Sequence, residues 1–279
     1  MNQIEVLNLV PKFLNFYDKA NQPDINADER FKLWKEHYNF AAIPPGEEGQ
    51  KMAREMLDHA FTQYAKHVPV LKEWNPDTSK LERTLIDIKD IMGYHQPVNL
   101  TVIYFVGGFE NNPFVAPYGE GKAVCLPIEC GESDIFLAHE LTHIIHGETA
   151  GIKPSWERTI GSTLLQEGLA TRISEYYVPG EPEEKYIANQ DGWLEACKER
   201  HADILEGIIP FLDDQSAETV SRFIFGTGTA GLPREVYYAG WETVGKLLEE
   251  GVTFEKMAYI PEEDIPEYIR KAMVKETLR

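Results

Sequence analysis

The chain is short of cysteine, short of basic residues and free of long apolar runs, and each shortage excludes something. Its 279 residues hold only 3 Cys, namely Cys125, Cys130 and Cys197. An odd number completes no disulfide framework and fits a reducing compartment, so the expected location is the cytoplasm. Lys and Arg number 27 against 46 Asp and Glu, a formal net charge of −19. Such a surface repels phosphates, which argues against nucleic acid and anionic membrane as partners. No window approaches the ~20 uninterrupted apolar residues that a membrane-spanning helix requires. The segment from Met1 to Phe16 is apolar and periodic, but it has no basic n-region and Glu5 interrupts it. It reads as a packed amphipathic helix and not as a signal peptide. No serine nucleophile elbow is present. The cysteines lack zinc-finger spacing. Gly226 to Gly231 fits G-x-G-x-x-G, yet helical sequence precedes it and Pro233 closes it. It reads as a flexible loop, because a dinucleotide site needs a strand before the glycines and a helix after them.

What the chain does have is enough apolar material for a core, at 43% hydrophobic. Apolar residues recur at helical spacing through Phe31, Trp34 and Tyr38, through Met52 to Tyr64, and through Leu81 to Met92, with Pro23 and Pro69 as punctuation. Val98 to Val106, rich in β-branched and aromatic residues, predicts a buried strand. Ala123 to Ile128 predicts a second. A helix is predicted from Ser133 or Asp134 to about His146, stopped by Gly147, and another from a Ser155 cap to about Tyr177. Further helices are expected over 190–212, 216–225, 234–250 and 262–278. The fold class is α+β, predominantly helical. A helical region over 1–97 precedes a catalytic region over 98–279, in two parts or as one continuous domain. Oligomeric state has no signature here.

Within the helix after the second predicted strand lies His139-Glu140-Leu141-Thr142-His143. Residues four apart share a helix face, so both imidazoles can reach one metal ion, while Glu140 sits one step round, able to handle the proton of a water molecule. This H-E-x-x-H pattern is the signature of zinc hydrolases, whose catalytic ion takes three protein ligands and leaves one position open. His139 and His143 supply two. Three residues compete for the third place. His146 shares their helix face but lies about 10 Å along the axis from His139, too far for a compact site. Glu148 falls beyond the predicted helix end. Glu167, 24 residues after His143 and in mid-helix, is favoured. Gly168, Ala170, Thr171 and Ser174 beside it are small enough for a close helix approach, and a buried carboxylate there needs a partner.

His139-Glu140-x-x-His143 followed by Gln166-Glu167-Gly168-Leu169-Ala170 resembles the gluzincin zinc peptidases. The E-G-x-A context is similar to thermolysin-like and M1-type aminopeptidase folds, and to a bacterial family of predicted zinc-dependent proteases. The likeness covers about 100–240, and 1–97 matches nothing recognisable. It implies a thermolysin-like zincin core with a small sheet packed on the active-site helix, and one Zn²⁺ ligated by His139, His143 and Glu167. It also implies Glu140 as general base acting on a peptide or protein substrate. Two finer roles follow from the same resemblance. Ala123 to Ile128 would be the edge strand that pairs with an extended substrate. Tyr237, in Tyr237-Tyr238-Ala239-Gly240 and 70 residues after Glu167, would stabilise the oxyanion, with Tyr238 as the fallback. Gly108-Phe109-Glu110-Asn111 is similar to the amine-recognition motif of M1 aminopeptidases, with Phe in place of Met, so Glu110 is a candidate for binding a free N-terminus. Thr171 stands where many relatives have an Asp.

The leading expectation is a zinc peptidase, with endo- and exo-action both open. The alternative is a zinc-containing protein that binds peptides or partners without cleaving them, although a purely structural ion is normally closed by four protein ligands and needs no base.

Overall fold

The computed structural model describes residues 2–43, 46–110, 112–119, 121–152, 158–187 and 190–277. The chain is α+β and mostly helical, with one four-stranded sheet. It forms two compact units, the first from Met1–Glu82 and Pro97–Ser133, the second from Arg83–Gln96 and Asp134–Arg279. Among the described residues no helix is long and apolar enough to cross a membrane.

The first unit begins with β1 (Gln3–Asn8), α1 (Val10–Ala20), α2 (Ala27–His37) and α3 (Glu47–Glu73). After α4 (Thr78–Ile91), whose residues from Arg83 belong to the second unit, come β2 (Asn99–Phe105), β3 (Phe114–Tyr118) and β4 (Gly121–Pro127). The spatial order is β1-β2-β4-β3. β1, β2 and β4 run parallel, while β3 folds back antiparallel on β4 in a hairpin. β2 is buried from Val102 to Phe105, which explains its unbroken apolar run: a parallel strand covered on both faces does not alternate. Phe13 packs edge-on against Tyr64 at 4.8 Å and Tyr38 at 5.5 Å between ring centroids. The Tyr38 hydroxyl donates to Val106 O at 2.9 Å, and the Tyr64 hydroxyl to Gly107 O at 2.7 Å.

Several expectations need correcting. Met1 to Phe16 is not one helix, since residues 3–8 form β1 in register with β2. Ile4 and Leu7 fit a helical period, but Ile4 and Val6 also fit strand alternation, and pairing with β2 decides between them. The switch comes where Asn8 Oδ1 accepts the Val10 N–H at 2.9 Å and Pro11 enters the first helical turn. Pro69 does not punctuate, because it lies inside α3. β3 lies between the two expected strands and had no counterpart in the sequence reading. Ala123 to Ile128 is not an edge either. β4 is paired on both sides, leaving β1 and β3 as the outer strands.

The second unit contains α5 (Asp134–Ala150), α6 (Ile160–Tyr177), α7 (Glu184–Ile187), α8 (Trp193–Glu199) and α9 (His201–Ile208). It continues with α10 (Ala217–Ile224), α11 (Glu235–Glu249), α12 (Phe254–Ala258) and α13 (Ile265–Thr277). α5 runs through Gly147 and stops instead at Gly151, whose φ is +67°, with Ile152 N–H returning to Gly147 O at 3.2 Å. That six-residue closure needs the left-handed position one residue past the helix end, where glycine is unstrained. The expected Ser155 cap lies outside the described residues. α6 starts at Ile160, with Thr159 Oγ1 accepting the Ser162 N–H at 3.2 Å. α6 is the axis of the unit, packed on α5 along one side and α11 along another. Ser174 meets α5, its hydroxyl donating to Ile135 O at 3.1 Å. Gly168 instead meets α11. A Cβ there would collide with Gly240 O, and a Cβ on Gly240 would sit 2.5 Å from Leu164 O. Backbone therefore crosses backbone at this glycine pair.

Candidate metal centre

α6 is enclosed on nearly all sides, and between Ile160 and Thr171 only Glu167 keeps partial solvent access. Its carboxylate turns toward α5. Glu167 Oε2 lies 3.4 Å from His139 Nε2 and 3.6 Å from His143 Nε2, and the two Nε2 atoms are 3.0 Å apart. Three ligand-type atoms thus form a small triangle. Tetrahedral zinc with ligand bonds near 2.05 Å spaces its ligand atoms about 3.3 Å apart, and the triangle fits that requirement. Glu140, on the same helix, is 5% exposed. One of its carboxylate oxygens lies within 4.8 Å of ligand nitrogens of His139 and His143, and these three residues form the metal-competent cluster found among the described residues.

The two carboxylates are driven apart electrostatically. Burial raises the Glu140 pKa to about 7, reinforced by Glu167 and opposed by His139. Burial would raise Glu167 too, but His143 and His139, helped by Arg234, outweigh it and hold Glu167 at about 2. One acid is thus poised near neutrality while its neighbour stays an anion.

The other candidates separate cleanly. Glu148 is exposed on the last turns of α5. His146 is fully buried, and neither ring nitrogen has a hydrogen-bond partner. Burial, with the charges of His143 and Arg158, lowers its pKa to about 3, so it is neutral at any working pH. Tyr237, half-buried at the start of α11, has its pKa raised by burial, with the charges of Glu167 and Glu140 adding to the shift and Arg234 opposing it. The Tyr238 hydroxyl turns away to His201 Nδ1 at 3.0 Å. Glu110 belongs to the first unit, where its carboxylate accepts the Gly108 N–H at 2.8 Å, and Asn111 of the same motif lies outside the described residues. The Thr171 hydroxyl donates back to Glu167 O at 2.8 Å. No disulfide joins the three cysteines.

Residues 126–267, just over half of the chain and all of the elements that carry this cluster, match the family described as Predicted Zn-dependent protease (DUF2268). The chain belongs to that family. No curated protein and no solved structure matches it. For a predicted zinc-dependent protease the donor set is chemically apt, since two neutral imidazoles and one carboxylate are zinc ligands and the nearby acid is available as a base.

The sequence reading missed three groups of this family member. Arg234 lays its guanidinium carbon 3.9 Å from the Tyr237 ring centroid and hydrogen-bonds that side chain. Arg158 Nη1 donates to Gln166 Oε1, beside Glu167, and its pKa falls through burial despite the charge of Glu167. Glu235 is fully buried and accepts N–H groups of Thr229 at 2.8 Å, Ala230 at 2.9 Å and Leu232 at 3.0 Å. The Gly226–Gly231 segment is consequently no loose loop. It is clasped around Glu235, closed by a Thr227–Pro233 bridge, and tied to α8 by Trp193 Nε1 donating to Pro233 O at 2.8 Å. Only the run of glycines before Pro233-Arg234-Glu235 hinted at a shaped turn.

Proposed function

We propose that the protein hydrolyses peptide bonds with a single Zn²⁺ held by His139, His143 and Glu167, in the manner of the gluzincin peptidases it resembles. The observation that carries this reading is the triangle of Nε2, Nε2 and Oε2 atoms at 3.0, 3.4 and 3.6 Å, with a buried acid beside it. When bound, the ion supplies Lewis-acid chemistry, bringing the pKa of water down towards ~7 and polarising the scissile carbonyl. Glu140, pushed to about 7 by burial in the ion's absence, accepts the proton of the attacking water and returns it to the departing amine. Tyr237 remains a neutral phenol at working pH because burial raises its pKa, and it donates a hydrogen bond to the oxygen that becomes anionic. Glu167, an anion at every relevant pH, adds a charged ligand to two neutral imidazoles.

The test is a pair of variants. Glu140→Gln is expected to bind one zinc per chain while losing at least about a thousandfold in peptide cleavage. Glu167→Gln is expected to lose the metal itself. Undiminished cleavage by the Glu140→Gln protein, or a full zinc complement in the Glu167→Gln protein, overturns the assignment.

A further inference from the structure

Arg234 occupies an unusual position. Its φ of +56° and ψ of +35° lie in the left-handed region, which disfavours a non-glycine residue. Such strain persists only when its surroundings over-determine it, and it clusters at functional sites. Here the surroundings are visible. Pro233 precedes Arg234, and Glu235 follows it with its carboxylate pinned by the three N–H groups of the clasp. The result is a guanidinium laid over Tyr237 at 3.9 Å, half-exposed, with its charge acting on Glu167 and His139. Arg158, anchored on Gln166, adds a second cation that acts on Glu167 and Tyr237. The charges of two guanidinium groups thus bear on the candidate centre of a protein with 46 acidic and 27 basic residues. Glu262 offsets part of the Arg158 charge. A planar guanidinium fork matches a carboxylate best.

We propose that Arg234, seconded by Arg158, makes this centre select peptides that present a carboxylate beside the scissile bond. The carboxylate would be either the peptide's own C-terminus or an Asp or Glu side chain. The proposal rests on the peptidase reading for its substrate class, and binding measured without turnover keeps the two separable.

The probe is a dye-labelled, mixed-sequence pentapeptide library in four matched forms: free C-terminal acid or amide, each with Glu or Gln at one internal position. Fluorescence polarisation reads its binding to zinc-loaded Glu140→Gln protein. Anionic members are expected to bind about tenfold more tightly than their neutral counterparts, as one charge-assisted pair supplies. The acid-to-amide contrast identifies a C-terminal carboxylate, and the Glu-to-Gln contrast identifies a side chain. Adding Arg234→Gly, which suits the left-handed backbone and removes the guanidinium, should bring the preference to within about twofold. Arg158→Gln should reduce it in part, and it serves if the first variant misfolds. Equal binding of charged and neutral members, absence of binding by all of them, or a preference that survives Arg234→Gly overturns the proposal. Native enzyme that cleaves all four forms alike removes the selectivity and leaves the hydrolase. A charge preference without cleavage by native enzyme removes the hydrolase and leaves the selectivity.

Discussion

Glu140 and Glu167 are the same side chain held at opposite ends of the carboxylate range, about 7 and about 2. The difference lies in what faces each one. Glu140 meets a desolvating wall with a negative neighbour, whereas Glu167 points between two imidazoles. In metal-free protein the raised Glu140 pKa has a thermodynamic consequence. Between the unfolded value near 4.5 and the folded value near 7 the native state binds more protons than the unfolded one, so stability falls as pH rises through that window. Glu140→Gln removes the penalty. The metal-free variant is therefore expected to exceed metal-free native protein in stability at pH 8 by up to ~3 kcal/mol, with the gap closing by pH 4.5. Urea unfolding at the two pH values measures it, and a pH-independent gap would contradict the argument. His139, Glu140, His143 and Glu167 were legible in the sequence because helical spacing and small neighbours leave a written trace. Arg158 and Arg234 were not, since a cation in a loop or at a helix start has no periodicity.

At the scale of elements, α6 and α11 meet without any side chain between them at Gly168 and Gly240. Each glycine adjoins or lies one turn from a proposed site residue, Glu167 in one helix and Tyr237 in the other. Gly168→Ala or Gly240→Ala is expected to destabilise by roughly 3 kcal/mol through overpacking, and to weaken zinc binding because α6 must move. A thermal melt paired with a zinc titration tests both halves, and unchanged zinc affinity in a destabilised variant would limit the glycines to packing. The clasp makes a second prediction. Glu235→Ala strands three buried N–H groups and should cost about 2–4 kcal/mol. Thermal unfolding reads this directly, and a loss below about 1 kcal/mol would mean the loop finds other acceptors. Helices with a strong single period, such as α2, α10 and α11, were legible along with β2. β1 and β3 were not, because short strands draw their identity from pairing partners, and Pro69 was overridden by packing within a long helix.

For the molecule as a whole, the acidic composition spoke against polyanionic partners but gave no hint that the charges of two arginines act on the candidate centre. Zinc at about a thousand times its dissociation constant would stabilise the folded state by about 4 kcal/mol, and stripping it should lower the melting temperature by roughly 10 °C. Calorimetry before and after a chelator tests this, with hydrogen exchange expected to rise in α5 and α6 first. An identical melt after complete chelation would place the ion outside the folding equilibrium.

The glycine crossing has a kinetic corollary. Two helices locked backbone to backbone behave as one rigid strut, so Glu167 and Tyr237 would keep their spacing before any ion arrives. Metal uptake would then resemble an ion dropping into a finished socket rather than a chain gathering around it. Its rate should follow dehydration of the incoming cation and be nearly indifferent to solvent viscosity.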